Sequence, residues 1–111
     1  MTFSLFKPRH KELSPRQLDS MLSAGTAQVI DVREADEFAA GHIPGAINLP
    51  LSGFRASTLP EFPGKVLVLN CAAGRRSAMA LDQCAAARAE VDTHLAGGFG
   101  AWRAAGLPVA Q

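Results

Sequence analysis

Behind Ser14 and Pro15, Leu18, Met21 and Leu22 recur at helical spacing until Gly25 ends the run. A serine followed by proline is an N-cap with proline at the first helical position, so the pattern predicts a short amphipathic helix. Gln28-Val29-Ile30-Asp31-Val32 reads as a strand rich in β-branched residues, and the charged stretch 34–40 as a helix. Gly41, Pro44 and Gly45 punctuate the chain before a strand over 46–49, which Pro50 stops by removing a ladder donor. Residues 51–63 carry little pattern and leave room for a short helix. The nearly continuous apolar run 65–70 predicts a central strand covered on both faces, and the alanine-rich stretch from 76 to about 89 predicts a helix. Val91, Thr93 and Leu95 alternate with Asp92 and His94, which predicts one more strand before Gly97-Gly98 turns the chain into a last helix around 101–105. Residues 1–13 show no period and are expected to form an irregular arm that lays Phe3, Leu5 or Phe6 on the body.

Strands alternating with helices imply an α/β fold, a parallel sheet with helices on both faces. With 111 residues, no internal repeat and no linker, one domain over 14–111 behind the arm 1–13 is expected. Apolar types at 48% and charged types at 19% fit a folded globule and exclude a disordered chain. A formal charge of +1 provides no overall field for a polyanion, so neither nucleic acid nor an acidic membrane surface is an expected partner. Without a membrane-length apolar run or a secretory apolar segment near Met1, a soluble cytoplasmic protein is expected. Two cysteines are too few for a disulfide scaffold, and no Cys/His spacing fits zinc, so they read as thiols in a reducing compartment with no metal.

The chemistry concentrates in Asn70-Cys71-Ala72-Ala73-Gly74-Arg75-Arg76-Ser77, where a buried strand ends and a helix begins. Ligands of open α/β sheets bind outside such carboxyl ends. A loop closing on a helix start aims unpaired N–H groups and the positive end of the dipole at one point, which favours an anion there. If the loop curls around Cys71, its thiol is expected well below the usual cysteine range, making a nucleophile that needs no histidine base. Gly74 can adopt positive φ and bring the backbone close, while Ala72 and Ala73 are small enough to leave the mouth open. Arg75 and Arg76 supply guanidinium forks suited to a small oxyanion such as sulfonate or phosphate. The expectation requires Cys71 to be ionised near neutral pH and within reach of solutes.

Other chemistry-bearing residues read as structural. Cys84 lies about 12 Å along the helix from the loop, so it is expected as a core thiol and not a disulfide partner. Asp31 and Arg33 are expected to brace neighbouring loops as a pair, and His42, in a Gly–Pro-Gly turn, to fix its loop through backbone hydrogen bonds. His10 and His94 have no partners at catalytic or ligand spacing and are expected in solvent, whereas Trp102 is expected in the core.

From about Ser14 to Val109 the chain resembles a single-domain rhodanese, a thiosulfate or persulfide sulfurtransferase. Ile30-Asp31-Val32-Arg33-Glu34, Glu37-Phe38 and the run from Gly41-His42-Ile43-Pro44-Gly45 to Pro50 are similar to the first signature region of that family. Cys71 with Gly74, Arg76 and Ser77 is similar to its active loop, and Leu95-Ala96-Gly97-Gly98, Trp102 and Gly106-Leu107-Pro108-Val109 to its closing signature. The family often has a glycine where the helix starting at 76 stops, and here Arg88-Ala89-Glu90 stands instead. The resemblance implies a three-layer fold around a five-stranded, mainly parallel sheet. It also implies that Cys71 takes a sulfane sulfur from a small anionic donor, thiosulfate or a persulfide, and passes it to a thiol, cyanide or protein acceptor. Ala72, Ala73, Gly74, Arg75, Arg76 and Ser77 would bind the substrate, with no metal or organic cofactor.

Two alternatives stand beside it. One is a non-catalytic module that keeps the fold to dock a partner. The other is a phosphatase or arsenate reductase, whose loop in the related families is one residue longer and usually follows a histidine, where this chain has Asn70. A shorter ring of donors encloses one sulfur better than a phosphate ester, and no carboxylic acid is evident to protonate a leaving alcohol.

Overall fold

The computed structural model describes residues 10–87 and 89–111. The placement expected for Phe3, Leu5 and Phe6 lies outside the described residues. In chain order the elements are β1 (Lys11–Leu13), α1 (Pro15–Ala24), β2 (Ala27–Asp31), α2 (Ala35–Ala40), β3 (Ile47–Asn48), β4 (Val66–Asn70), α3 (Arg75–Ala86), β5 (Thr93–Leu95) and α4 (Gly98–Ala104). Two single 3₁₀ turns, Leu51–Gly53 and Ala56–Thr58, lie between β3 and β4. All five strands are parallel, in the order β1-β5-β4-β2-β3, which puts β4 in the middle.

That central place explains the unbroken apolar run of β4. Val68 packs with Val29, Leu18, Leu95 and Trp102 on the face covered by α1 and α4. Leu69 packs with Ile30, Leu81 and Cys84 on the face covered by α3. Successive residues of β2 and β4 thus enter opposite layers of the core, and a strand sandwiched this way has no wet face to alternate with. The helix starts follow their caps. Ser14 Oγ accepts the Gln17 N–H at 3.1 Å while Gln17 Oε1 accepts the Ser14 N–H at 2.8 Å, a reciprocal box that holds the first turn of α1. Gly25 ends that helix at φ 74°.

The structure departs from the sequence expectation at the β1 edge of the sheet and in the extent of the helix after the loop. Lys11, Glu12 and Leu13 are not irregular: they pair in register with Thr93, His94 and Leu95 of β5. A three-residue edge strand with one apolar residue has no pattern of its own, and its partner supplies the pairing. The helix after the loop starts at Arg75 and stops at Ala86, short of residue 89, where the Ala89 N–H bonds the Cys84 carbonyl at 2.8 Å. Among the described residues, no helix is long and apolar enough to cross a membrane.

Candidate active site

β4 delivers the chain to the carboxyl edge of the sheet at its centre, and the loop from Cys71 to Gly74 turns there into α3. Gly74 caps that helix at φ 105°, in the left-handed region where a Cβ is strained, and its N–H points at Cys71 Sγ at 3.0 Å. Ser77, one turn into α3, places Oγ 3.5 Å from the same sulfur. The loop is held from behind by α4. Phe99 N–H donates to the Cys71 carbonyl at 2.7 Å and Gly100 N–H to the Ala72 carbonyl at 3.0 Å. In a trans peptide the C=O and the next N–H point opposite ways, so turning these carbonyls outward to α4 turns the following amides inward. Gly98 makes the approach possible: at φ 61°, a Cβ there would sit 2.4 Å from the Cys71 carbonyl oxygen. The sequence marks Gly97-Gly98 only as a turn into a helix, and the structure shows the closest backbone contact of the site.

Burial pushes the pKa of the Cys71 thiol up, but the Ser77 hydroxyl and the N–H groups of Ser77, Gly74 and Ala73 oppose it, and the net result is a pKa below the ordinary cysteine value. The Gly74 N–H and the Ser77 hydroxyl thus lie together at one sulfur. The mouth of the loop is narrower than expected: Ala72 and Ala73 are exposed at the rim, yet Cys71 itself exposes 1% of its surface. Small neighbours do not open the loop, because the sulfur is drawn down among the donors.

The arginines, expected to act together, are divided. Arg76 donates to both oxygens of Glu37 on α2, at 2.6 and 3.0 Å, so its fork is occupied by a carboxylate and not free for a substrate anion. That hydrogen-bonded guanidinium, working against a smaller effect of burial, brings Glu37 down to about 2. Arg75 is exposed and makes no hydrogen bond or ion pair among the described residues. The first turn of α3 splays the two side chains apart, one towards α2 and one towards solvent.

Around this centre the bracing residues fall as expected. Asp31 is fully buried and receives Arg33 through both carboxylate oxygens, and Arg33 also donates to the Gly41 carbonyl at 2.7 Å, tying the loop after β2 to the end of α2. His42 Nδ1 bonds the Phe38 carbonyl at 2.7 Å and its ring stacks on Phe38. Trp102 is in the core with its N–H on the Pro108 carbonyl. Cys84 is buried, and burial pushes its thiol up to about 11.

His94 is the residue that sequence reasoning misplaced. It is 3% exposed, not solvated, and Nδ1 lies 2.8 Å from Ser77 Oγ. The alternation around Thr93 assigns it to a wet face. β5, however, runs between β1 and β4 with α3 across it, so both faces are covered. A strand expected inside a parallel sheet was the available signal, and the alternation masked it. His10 is exposed as expected, though it bonds Asp82 of α3 at 2.7 Å. No group of three His, Cys, Asp or Glu side chains that could hold a metal ion occurs among the described residues.

A family profile for the rhodanese-like domain matches residues 14–105. The chain is 40% identical over 99 residues to an uncharacterized protein of Synechocystis, covering 89% of this chain but only 55% of that protein. It is 34% identical over 100 residues to the thiosulfate sulfurtransferase GlpE of Shewanella oneidensis, covering 86% of this chain and 94% of that one. The structure of the human single-domain sulfurtransferase TSTD1 superposes with a TM-score of 0.67 at 30% identity, covering 84% of this chain and 95% of the human one. The five-stranded parallel sheet, the loop at its central strand and these likenesses agree, and the chain belongs to the rhodanese-like domain family.

Proposed function

We propose that this protein is a sulfurtransferase with Cys71 as nucleophile and sulfur carrier. The observation that carries this reading is the approach of the Gly74 N–H at 3.0 Å and the Ser77 hydroxyl at 3.5 Å to one sulfur at the start of α3, supported by the lowering that the Ala73 and Ser77 N–H groups add, which favours thiolate and persulfide anions alike. The Cys71 thiolate attacks the outer sulfur of a donor such as thiosulfate. A bond forms between Sγ and that sulfur while its bond to the sulfite group breaks, and sulfite leaves with the electron pair. A thiol, cyanide or protein nucleophile then attacks the terminal sulfur of the persulfide and the Cys71 thiolate returns. No metal or organic cofactor takes part in these steps. Ala72, Ala73, Gly74 and Ser77 line the anion, and Arg75, the exposed member of the arginine pair, draws the sulfonate end. Arg76 acts from behind, fixed on Glu37. Two free thiols suit a reducing, cytoplasmic setting.

Thiocyanate formation from thiosulfate and cyanide tests the reading, with Cys71→Ser as control. Turnover by the parent protein and none by the variant is expected, with intact mass rising by one sulfur after thiosulfate. Equal rates in both proteins remove Cys71 from the mechanism. A second reading, a binding module that keeps the fold without turnover, draws on the 1% exposure of Cys71. It predicts no mass gain from thiosulfate and no alkylation of Cys71 in the folded protein.

A further inference from the structure

Ser77 Oγ stands between two groups. Cys71 Sγ is 3.5 Å away on one side, and Nδ1 of His94 is 2.8 Å away on the other. The Gly74 carbonyl oxygen is a third neighbour at 3.2 Å. A hydroxyl owns one proton and two lone pairs, so Ser77 cannot donate to sulfur and imidazole at once. Ser77 and His94 are both buried, and the far nitrogen of His94, Nε2, lies 3.4 Å from the exposed carboxylate of Glu12. A continuous polar line thus runs from the sulfur through α3 and β5 to the outer edge of β1.

We infer that Ser77 and His94 form a proton relay for Cys71, with Glu12 as its outer counter-charge, which takes the thiol proton inward as the thiolate forms. It rests on the reading of Cys71 as nucleophile and deepens it. In the thiol state the S–H proton points at Ser77 Oγ, the Ser77 proton points at Nδ1, and the imidazole is neutral with its own proton on Nε2 towards Glu12. On ionisation the S–H bond breaks, a new O–H bond forms at Ser77, and the original hydroxyl proton moves to Nδ1. The electron pair stays on sulfur. The products are a thiolate that accepts from Ser77 and an imidazolium beside a carboxylate, with no proton released and no oxidant needed. Reprotonation of the thiolate runs the same path backwards.

His94 acts through Ser77 and is a positioning residue. The charged and titratable groups around it are Glu12 and His10 on the β1 side, Asp82 of α3 behind His10, and Cys71 beyond Ser77. Burial lowers the histidine below its ordinary value, Glu12 pulls it back up in part, and His10 pushes it down again, so a lone pair is available in the thiol state. A thiolate and an imidazolium joined by one hydroxyl stabilise each other, and the two groups titrate as a pair.

Two measurements decide it. The Cys71 thiolate is followed by its ultraviolet absorbance, as the difference between the parent protein and Cys71→Ser; the chain has no tyrosine to ionise in the same range. His94→Asn offers an amide oxygen close to the place of Nδ1 to accept from Ser77 but cannot take up a proton, and it is expected to raise the apparent pKa of Cys71 by about one unit. An unchanged titration overturns the relay and leaves a simple hydrogen bond. Nitrogen NMR of His94 in the otherwise unaltered protein gives the reciprocal reading, which stands even if His94→Asn fails to fold. Its imidazolium should persist to higher pH than in Cys71→Ser, and equal values in the two proteins overturn the relay. Neither readout uses sulfur transfer, so failure of the relay is distinct from failure of the sulfurtransferase reading.

Discussion

Cys71 and Cys84 are almost equally hidden, at 1% and 0% exposure, and both belong to the apolar layer beneath α3. Their thiols nevertheless diverge. Burial acts alone on Cys84 and lifts it to about 11. Burial is also the largest influence on Cys71, yet the Ser77 hydroxyl and three backbone N–H groups together outweigh it and bring that thiol below its ordinary value. The contrast comes from position on one helix. Cys84 sits within α3, where every N–H around it is spent on the carbonyl four residues back, whereas Cys71 sits ahead of α3, where the first N–H groups have no such partner. Acidity here follows the supply of donors and not the exposure of the sulfur.

The widest separation between the two should appear on substitution. Cys71→Ser is expected to lose at least about 10³-fold in thiocyanate formation with the fold kept. Cys84→Ala should keep the rate and lose about 1 kcal/mol of stability from the small cavity. Chemical denaturation read beside turnover checks both. Comparable activity losses in the two variants would erase the distinction.

Next in size is the strut behind the donors. Gly98→Ala places a Cβ 2.4 Å from the Cys71 carbonyl at φ 61°, so α4 must retreat from the loop. We expect about 3 kcal/mol of destabilisation from the backbone conformation and the contact together, and about a 10²-fold fall in rate from a displaced cradle. Gly74→Ala is the matched control. Its φ of 105° is also unfavourable, but the new Cβ would meet nothing closer than 3.8 Å, so the loss should be limited to about 1–2 kcal/mol. Equal damage from both would mean that backbone strain alone, and not the grip of α4 on the loop, shapes the site.

Much of this was legible in the residues. The caps of α1, the apolar run of β4 and the coincidence of strand end, Cys71, Gly74, the Arg75-Arg76 pair and a helix start place the sheet centre and the loop from the residues alone. What the chain concealed are contacts between distant elements. Nothing local to Lys11–Leu13 announces a strand, since its pairing comes from β5. Nothing near Arg76 reveals that Glu37, 39 residues earlier, fills its fork. His94 was hidden by a true alternation lying on a strand whose two faces are both covered. Spacing finds groups that share an element, and it is blind to groups that share only a packing partner.

A smaller effect separates the thiols by pH. Cys84 ionises later in the folded chain than in the unfolded one, so its contribution to stability is complete below about pH 9 and is lost as the pH rises to about 11, a fall of about 2–3 kcal/mol. Cys71 has the opposite sign: the folded state ionises first, so its contribution grows as the pH rises through its lowered value towards the ordinary one. By denaturation midpoint the parent protein should be the more stable by about 1 kcal/mol near pH 7 and should fall below Cys84→Ala towards about pH 11, where only the parent carries the Cys84 loss. A decline of equal size in Cys84→Ala would assign it to other groups.

The smallest expected effect tests whether charge, beyond hydrogen bonding, reaches Cys71. Arg76 faces the Cys71 sulfur electrostatically, and its positive charge is largely answered by Glu37. Because about a third of each side chain is exposed, solvent screens the pair, and Glu37→Gln should cost under about 1 kcal/mol. The stability from Glu37 is present above its ordinary value of 4.5 and lost as the pH falls towards about 2, so the variant should match the parent protein only under strongly acid conditions. Removing the carboxylate leaves the guanidinium uncompensated beside the loop. The Cys71 thiolate should then form a few tenths of a pH unit earlier in an absorbance titration, while Cys84, farther along α3 and without a donor, should not move. A shift of both thiols together would mean that the two sites share one electrostatic environment and that the donors of the loop are not what sets Cys71 apart.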